Sequence, residues 1–238
     1  MTYLSKGLKV NMNILIVLTS HQNLGTTTAK TGLWLDEFTV PFYLFKDNND
    51  TVTLASPLGG QVPIDPKSDT AEMQTESVIR FKNDTNAITQ LANTLLLSTI
   101  DPADYDAVFY PGGHGPLWDL SQNAASKHII ESSYQHHKPT GLVCHGPAAL
   151  KAPKNADGSP LIAGKNVTGF SNSEEDAVGL SAVVPFLLED MLTDQGAHYT
   201  QGPDWQSYIV VDDNLITGQN PASAQAVATE IIRQLKTH

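Results

Sequence analysis

Short apolar runs rich in β-branched residues alternate along this chain with longer segments whose apolar residues recur at helical spacing. Residues 13–20 suit a central strand buried on both faces. Residues 31–46 then place Leu33, Trp34, Phe38, Phe42 and Phe45 at helical intervals, with Pro41 expected to kink or interrupt the helix. A second strand over 51–55 is closed by Pro57 and the turn pair Gly59-Gly60, and residues 58–70 read as an excursion from the core. Residues 72–98 read as helical, with Ala87, Ile88, Leu91, Ala92 and Leu95 as one apolar stripe. A third strand, 106–110, runs into Pro111-Gly112-Gly113-His114-Gly115; a helix over 121–136 precedes a strand over 141–143.

Further on, residues 166–169 read as a strand and 173–194 as one or two helices broken near Pro185. Segments 198–201, 208–211 and 215–217 read as an added antiparallel piece turning at Asp212-Asp213-Asn214, and 223–235 as a closing amphipathic helix. Such alternation implies an α/β fold, a mostly parallel sheet with helices on both faces in a flavodoxin-like sandwich. Ligands of such sheets bind in a crevice beyond the carboxyl ends of the strands. With no linker-like stretch, residues 1–238 read as one domain, and 1–11 as a loose extension before the first strand.

One of those carboxyl ends carries the chain's single cysteine. In Thr140-Gly141-Leu142-Val143-Cys144-His145-Gly146-Pro147-Ala148-Ala149-Leu150, an apolar strand is followed at once by a small-residue helix start. That is the layout of a nucleophile elbow at Cys144, a sharp turn that lifts one side chain above the sheet. Pro147 suits a first helical turn, and a helix N-terminus there would favour a thiolate. The same pattern also fits a buried structural cysteine on a core strand.

Other residues gather around it. His145 follows directly and offers both a backbone N–H for an oxyanion and an imidazole for acid–base work, or else is a surface histidine at a helix start. Gly112-Gly113 reads either as a second amide donor or as an ordinary tight turn. Glu37 is a buried acid or a solvated helix residue, and Glu174-Glu175-Asp176 opens a helix where acids are favoured anyway.

Charge and composition exclude some classes. A net charge of −11 argues against nucleic acid or an anionic membrane as partner. Lys6 and Lys9 precede a five-residue apolar run, Ile14-Leu15-Ile16-Val17-Leu18, too short for a signal peptide or a membrane span. One cysteine excludes an intrachain disulfide and fits a reducing cytoplasm.

The chain resembles the PfpI-like superfamily, which shares the fold of class I glutamine amidotransferase domains. The matching segments are Ala29-Lys30-Thr31-Gly32 with Glu37 and Pro41, Gly112-Gly113-His114-Gly115, and Val143-Cys144-His145-Gly146-Pro147. Pro160-Leu161-Ile162-Ala163-Gly164-Lys165, Thr168-Gly169-Phe170, Glu175 and Thr217-Gly218-Gln219-Asn220-Pro221-Ala222-Ser223 complete them. These last segments are similar to the branch of glutathione-independent glyoxalase III enzymes and stress chaperones. The resemblance implies Cys144 as nucleophile, Glu37 as the carboxyl hydrogen-bonded to it, and His145 as its partner, oriented by Glu175. The amides of Gly113 and His145 would bind an oxyanion, with His114 beside them. It implies that a 2-oxoaldehyde such as methylglyoxal adds to Cys144 as a hemithioacetal and leaves as a 2-hydroxy acid such as lactate, with no metal or organic cofactor. It further implies a homodimer. A holdase chaperone, a cysteine peptidase or amidase, and a protein deglycase are the alternatives at the same site. A true glutamine amidotransferase is not supported, because His198 is followed by Tyr199-Thr200 rather than a spaced acid.

Overall fold

The computed structural model describes residues 11–237, so the expected loose extension at 1–11 lies, except for residue 11, outside the described residues. Nine strands are present among them: β1 (Asn13–Val17), β2 (Thr51–Ser56), β3 (Leu95–Leu96), β4 (Ala107–Tyr110), β5 (Thr140–Val143), β6 (Asn166–Val167), β7 (His198–Tyr199), β8 (Ile209–Asp212) and β9 (Leu215–Gly218). The helices are α1 (Leu35–Asp47), α2 (Glu76–Lys82), α3 (Thr85–Ala92), α4 (Ala124–Gln135), α5 (Asn172–Ala177), α6 (Leu188–Asp194) and α7 (Ala224–Leu235).

Seven strands form one sheet in the order β3-β2-β1-β4-β5-β9-β8, parallel throughout except for β8. The helices pack around it, which is the flavodoxin-like arrangement expected from the strand–helix alternation. Ile14, Leu15, Ile16 and Val17 of β1 and Ala107, Val108, Phe109 and Tyr110 of β4 have no solvent exposure, as central parallel strands covered on both faces require. Chain order reverses between β1 and β4, the topological switch point beside which such sheets place their crevice. The Gly112-Gly113 and Cys144 turns leave the carboxyl ends of β4 and β5, neighbours in the sheet.

Four details differ from the sequence reading. The expected helix over 72–98 is split into α2 and α3, followed by β3. Thr75 accepts from the Val78 amide and Asp84 from those of Asn86 and Ala87, so each helix starts afresh on its own N-cap. Of the proposed stripe, Ala87 and Leu91 are buried while Ile88 and Leu95 are exposed. Pro41 does not interrupt α1, which runs through it with Phe38, Phe42 and Phe45 buried; aromatic packing outweighs the lost backbone bond. Leu33 and Trp34 precede that helix: Leu33 bonds the backbone of Pro63 and Asp65, and the Trp34 amide donates to Gly112 O at 3.2 Å.

The end of the chain is also rearranged. The β8–β9 hairpin turns where expected, yet β9 lies inside the main sheet, parallel to β5 with Val143 opposite Gly218. The strand expected over 166–169 is only β6, paired in parallel with β7 in a separate ribbon, because the Thr168 amide turns to donate to Thr217 Oγ1.

Candidate active site

Cys144 is a true elbow. Its φ is +59°, a left-handed conformation that costs a non-glycine residue about 1–3 kcal/mol and persists only where the surroundings impose it. Its amide donates to Gly218 O at 2.9 Å and its carbonyl accepts from the Phe170 amide at 3.0 Å, which holds the turn from two sides. A Cβ at position 146 would sit 2.4 Å from Tyr110 O, so only glycine lets the turn nest against the end of β4. The segment that follows, Gly146–Lys151, is a tight 3-10 turn rather than the expected α-helix. Burial pushes the Cys144 thiol up, and the Glu37 carboxyl adds to that push while the Gly113 amide opposes it. The resting form is therefore the thiol, not the thiolate expected from a helix N-terminus.

The base beside it is His145, itself buried. The thiol Sγ lies 3.4 Å from His145 Nδ1, and His145 Nε2–H donates to Glu175 Oε2 at 2.7 Å. That second bond assigns the tautomer: the proton sits on Nε2, leaving Nδ1 to accept from sulfur. Burial lowers the imidazole pKa, His114 nearby adds to this, and Glu175 opposes it. Glu175 Oε1 accepts from His114 Nε2 at 2.8 Å, so one carboxylate holds two imidazoles whose ring centroids are 4.1 Å apart. Burial works against the Glu175 carboxylate, but His145 and His114 together hold it far below the usual range.

On the other side of the thiol stands Glu37, fully buried on the first turn of α1. Its Oε2 accepts from the Gly112 amide at 2.7 Å, its Oε1 has no partner of ordinary hydrogen-bond geometry, and the carboxyl lies beside the Cys144 thiol. Burial raises its pKa to about 8 against that one amide and the thiol. At neutral pH this carboxyl keeps its proton.

Gly113, at φ +82°, has no room for a side chain, because a Cβ there would lie 2.2 Å from Gly32 O. Neither its amide nor that of His145 takes part in the backbone hydrogen bonds of the described residues. The His145 amide is free to face a developing oxyanion, while the Gly113 amide is directed at the Cys144 thiol, beside the carbon that sulfur would attack.

These groups open onto a cleft of about 410 Å³. Gly113, His114, Cys144 and His145 line it, whereas Glu37 and Glu175 stand behind that surface. The structure thus brings together every site residue expected from the sequence. It also adds residues given no role there: Trp34, Phe170, Trp205 and Asn220 form much of the wall. Glu174 holds two of them, its Oε1 accepting from the Trp205 amide and from Asn220 Nδ2, both at 2.8 Å. Only Phe170 and Asn220 had a signal, as members of the Thr-Gly-Phe and Asn-Pro-Ala-Ser segments.

His114, His145 and Glu175 also have the composition of a metal site, with ligand atoms within 4.8 Å of one another. Their nearest atoms, however, face each other in short hydrogen bonds instead of a common centre.

An elbow cysteine above a parallel sheet, backed by an imidazole, defines the class: an α/β protein of flavodoxin-like fold built around one buried thiol. More narrowly, the chain belongs to the DJ-1/PfpI family, whose model matches residues 30–234. It is 31% identical to Glyoxalase 3 of Candida albicans over 93% of this chain and 97% of that protein. It is 32% identical to the glutathione-independent glyoxalase HSP31 of Saccharomyces cerevisiae, over 94% and 98% respectively. The crystal structure of Candida albicans glyoxalase III superimposes with a TM-score of 0.86 at 28% identity, covering 93% of this chain and 96% of that one. The Rapid Encystment Protein 24 KDa of Francisella tularensis gives 0.91 at 42% identity, covering 94% and 99%.

Proposed function

We propose that this protein is a glutathione-independent glyoxalase, converting methylglyoxal and related 2-oxoaldehydes to 2-hydroxy acids on Cys144. The observation that carries this reading is a base and an acid flanking one thiol. His145 Nδ1 lies 3.4 Å from Sγ, and Glu37 on the other side has a pKa of about 8. The names of the two fungal relatives support it. So does the cleft: among the described residues lining it there is no lysine or arginine to pair with the carboxylates of glutathione, and Asp36 would repel them.

The chemistry follows from these protonation states. His145 Nδ1 takes the thiol proton as sulfur adds to the aldehyde carbon, and the imidazolium is stabilised by Glu175. The resulting alkoxide, held by the Gly113 and His145 amides, takes that proton back to give a hemithioacetal. Neutral His145 then removes the hydrogen from the former aldehyde carbon while Glu37 gives its proton to the keto oxygen, forming an enediol. The Glu37 carboxylate next takes the proton of the adjacent hydroxyl, and His145 delivers its own to the neighbouring carbon. A 2-hydroxyacyl thioester results, and water, activated by His145, releases the acid and the thiol. One carbon is oxidised and its neighbour reduced, so no outside oxidant enters.

We also propose a cytoplasmic homodimer. Leu95 and Leu96 of the edge strand β3 are exposed, as is Leu58 just past the end of β2, and these apolar side chains suit contact with a second copy. No helix among the described residues is long and apolar enough to cross a membrane.

A time course of methylglyoxal loss and lactate formation without glutathione tests the reading. Stoichiometric lactate that disappears in Cys144→Ala supports it. Protection of aggregating proteins by Cys144→Ala, with no lactate from either form, would replace it with a holdase.

A further inference from the structure

The cleft is far larger than a three-carbon aldehyde needs. At about 410 Å³ it falls in the range of pockets that enclose drug-sized ligands, roughly 300–1,000 Å³. Beyond His114 and His145 beside Cys144, the wall is largely apolar, including Trp34, Met73, Val178 and Pro221, with Asp36, Thr75 and Asn220 as its other polar side chains.

An aromatic row leads out from the thiol. The Phe170 ring lies 4.3 Å from that of His145, and Trp205 meets Phe170 edge-on at 5.8 Å. Trp205 is half exposed, at the far end of this row, and adopts φ +62°. Its amide is fixed by Glu174, one residue before the Glu175 that holds both imidazoles. The outer wall and the proton-transfer pair therefore hang on one short helix, α5. A strained tryptophan kept half in solvent by a buried carboxylate is an expensive way to cover a site whose substrate never reaches it. Asp36 also lines the cleft, its carboxylate accepting from Thr75 and Ser77, and among the described residues that line the cleft there is no lysine or arginine to pair with it.

We infer that the preferred substrates are 2-oxoaldehydes bearing a bulky, uncharged aromatic group on the keto carbon, with the ring lying along Phe170 and Trp205. This rests on the glyoxalase reading above and extends it to substrate class. Placed there, the ring stacks on aromatic faces and displaces water from apolar surface while the aldehyde reaches Sγ. An anionic substituent on the ring would meet Asp36 with no counter-charge. The reaction balances as before: the aldehyde carbon becomes the carboxylate, the keto carbon becomes the alcohol, and one water is consumed. An aryl glyoxal thus gives a 2-aryl-2-hydroxyacetate.

The test compares kcat/KM for methylglyoxal, phenylglyoxal and 4-carboxyphenylglyoxal by chromatography of the hydroxy-acid products. Each is measured on wild type and on Trp205→Gly, since glycine adopts the positive φ without strain. Phenylglyoxal is expected to exceed methylglyoxal at least about tenfold, and the carboxylated analogue to fall about tenfold below phenylglyoxal. Trp205→Gly should lower the phenylglyoxal-to-methylglyoxal ratio about tenfold, through KM more than kcat. Methylglyoxal turned over at least as well as phenylglyoxal, with a ratio untouched by Trp205→Gly, overturns the inference and leaves the glyoxalase reading standing. Conversion of none of the three by wild type overturns both.

Discussion

Two buried carboxyls serve the same sulfur, Glu37 directly and Glu175 through His145, and behave in opposite ways. Glu175, on α5, is met by two imidazole N–H groups at 2.7 and 2.8 Å and stays ionised. Glu37, on α1, has a single backbone amide at 2.7 Å and one oxygen without an ordinary partner, and holds its proton up to about pH 8. Burial pushes both upward; what separates them is the number of donors and the charge those donors can carry. The α5 side therefore stabilises a cation on His145, and the α1 side supplies a proton. One residue type fills two roles because each element delivers it into a different hydrogen-bonding shell.

The sharpest way to break this contrast is to remove the atom both sides serve. Cys144→Ala should lower turnover by at least about a thousandfold, measured as lactate formed, with unchanged circular dichroism. Next is the ionised side. Glu175→Gln removes the negative charge that orients His145 and stabilises its protonated form, and a fall of about a thousandfold is expected. Third comes Glu37→Gln, which keeps the shape without the titrating proton. Turnover should drop about a hundredfold or more.

The pH profile sharpens the comparison further. Activity needs His145 neutral and Glu37 protonated. It should fall on the acid side below the ordinary histidine value, since burial lowers that pKa, and on the alkaline side through about pH 8. Glu37→Gln should lose the alkaline limb and keep the acid one. The smallest effect is on stability. A carboxyl whose pKa rises from 4.5 to about 8 on folding stabilises the fold at low pH and loses that contribution between those values. Glu37→Gln should thus gain stability over wild type as pH rises from 4.5 to 8, read as a widening Tm difference.

Much of the inner site was legible because its signals are local. Cys144, His145 and the Gly112-Gly113 turn follow apolar strands directly, and parallel topology sends neighbouring strand ends to one crevice. Glu37 and Glu175 were harder. Their segments read more readily as solvated helix starts, and only the family resemblance gave them roles. The outer wall was hidden because it is assembled from distant loops: Glu174 reaches Trp205 and Asn220 across 31 and 46 positions. The break between α2 and α3 left a readable mark in Asn83-Asp84, a C-cap followed by an N-cap, which the apolar stripe overshadowed. The place of β9 inside the sheet left none, since strand order depends on pairings the local pattern does not encode.

The opposed protonation of the two carboxyls is most directly tested by carbon-13 NMR of protein labelled at the glutamate carboxyl, titrated from pH 3 to 10. One resonance should move near pH 8 and vanish in Glu37→Gln, while the resonance lost in Glu175→Gln stays at its ionised position down to the acid end. A Glu37 carboxyl that titrates at or below about pH 5, the range of an ordinary glutamate, would contradict the account.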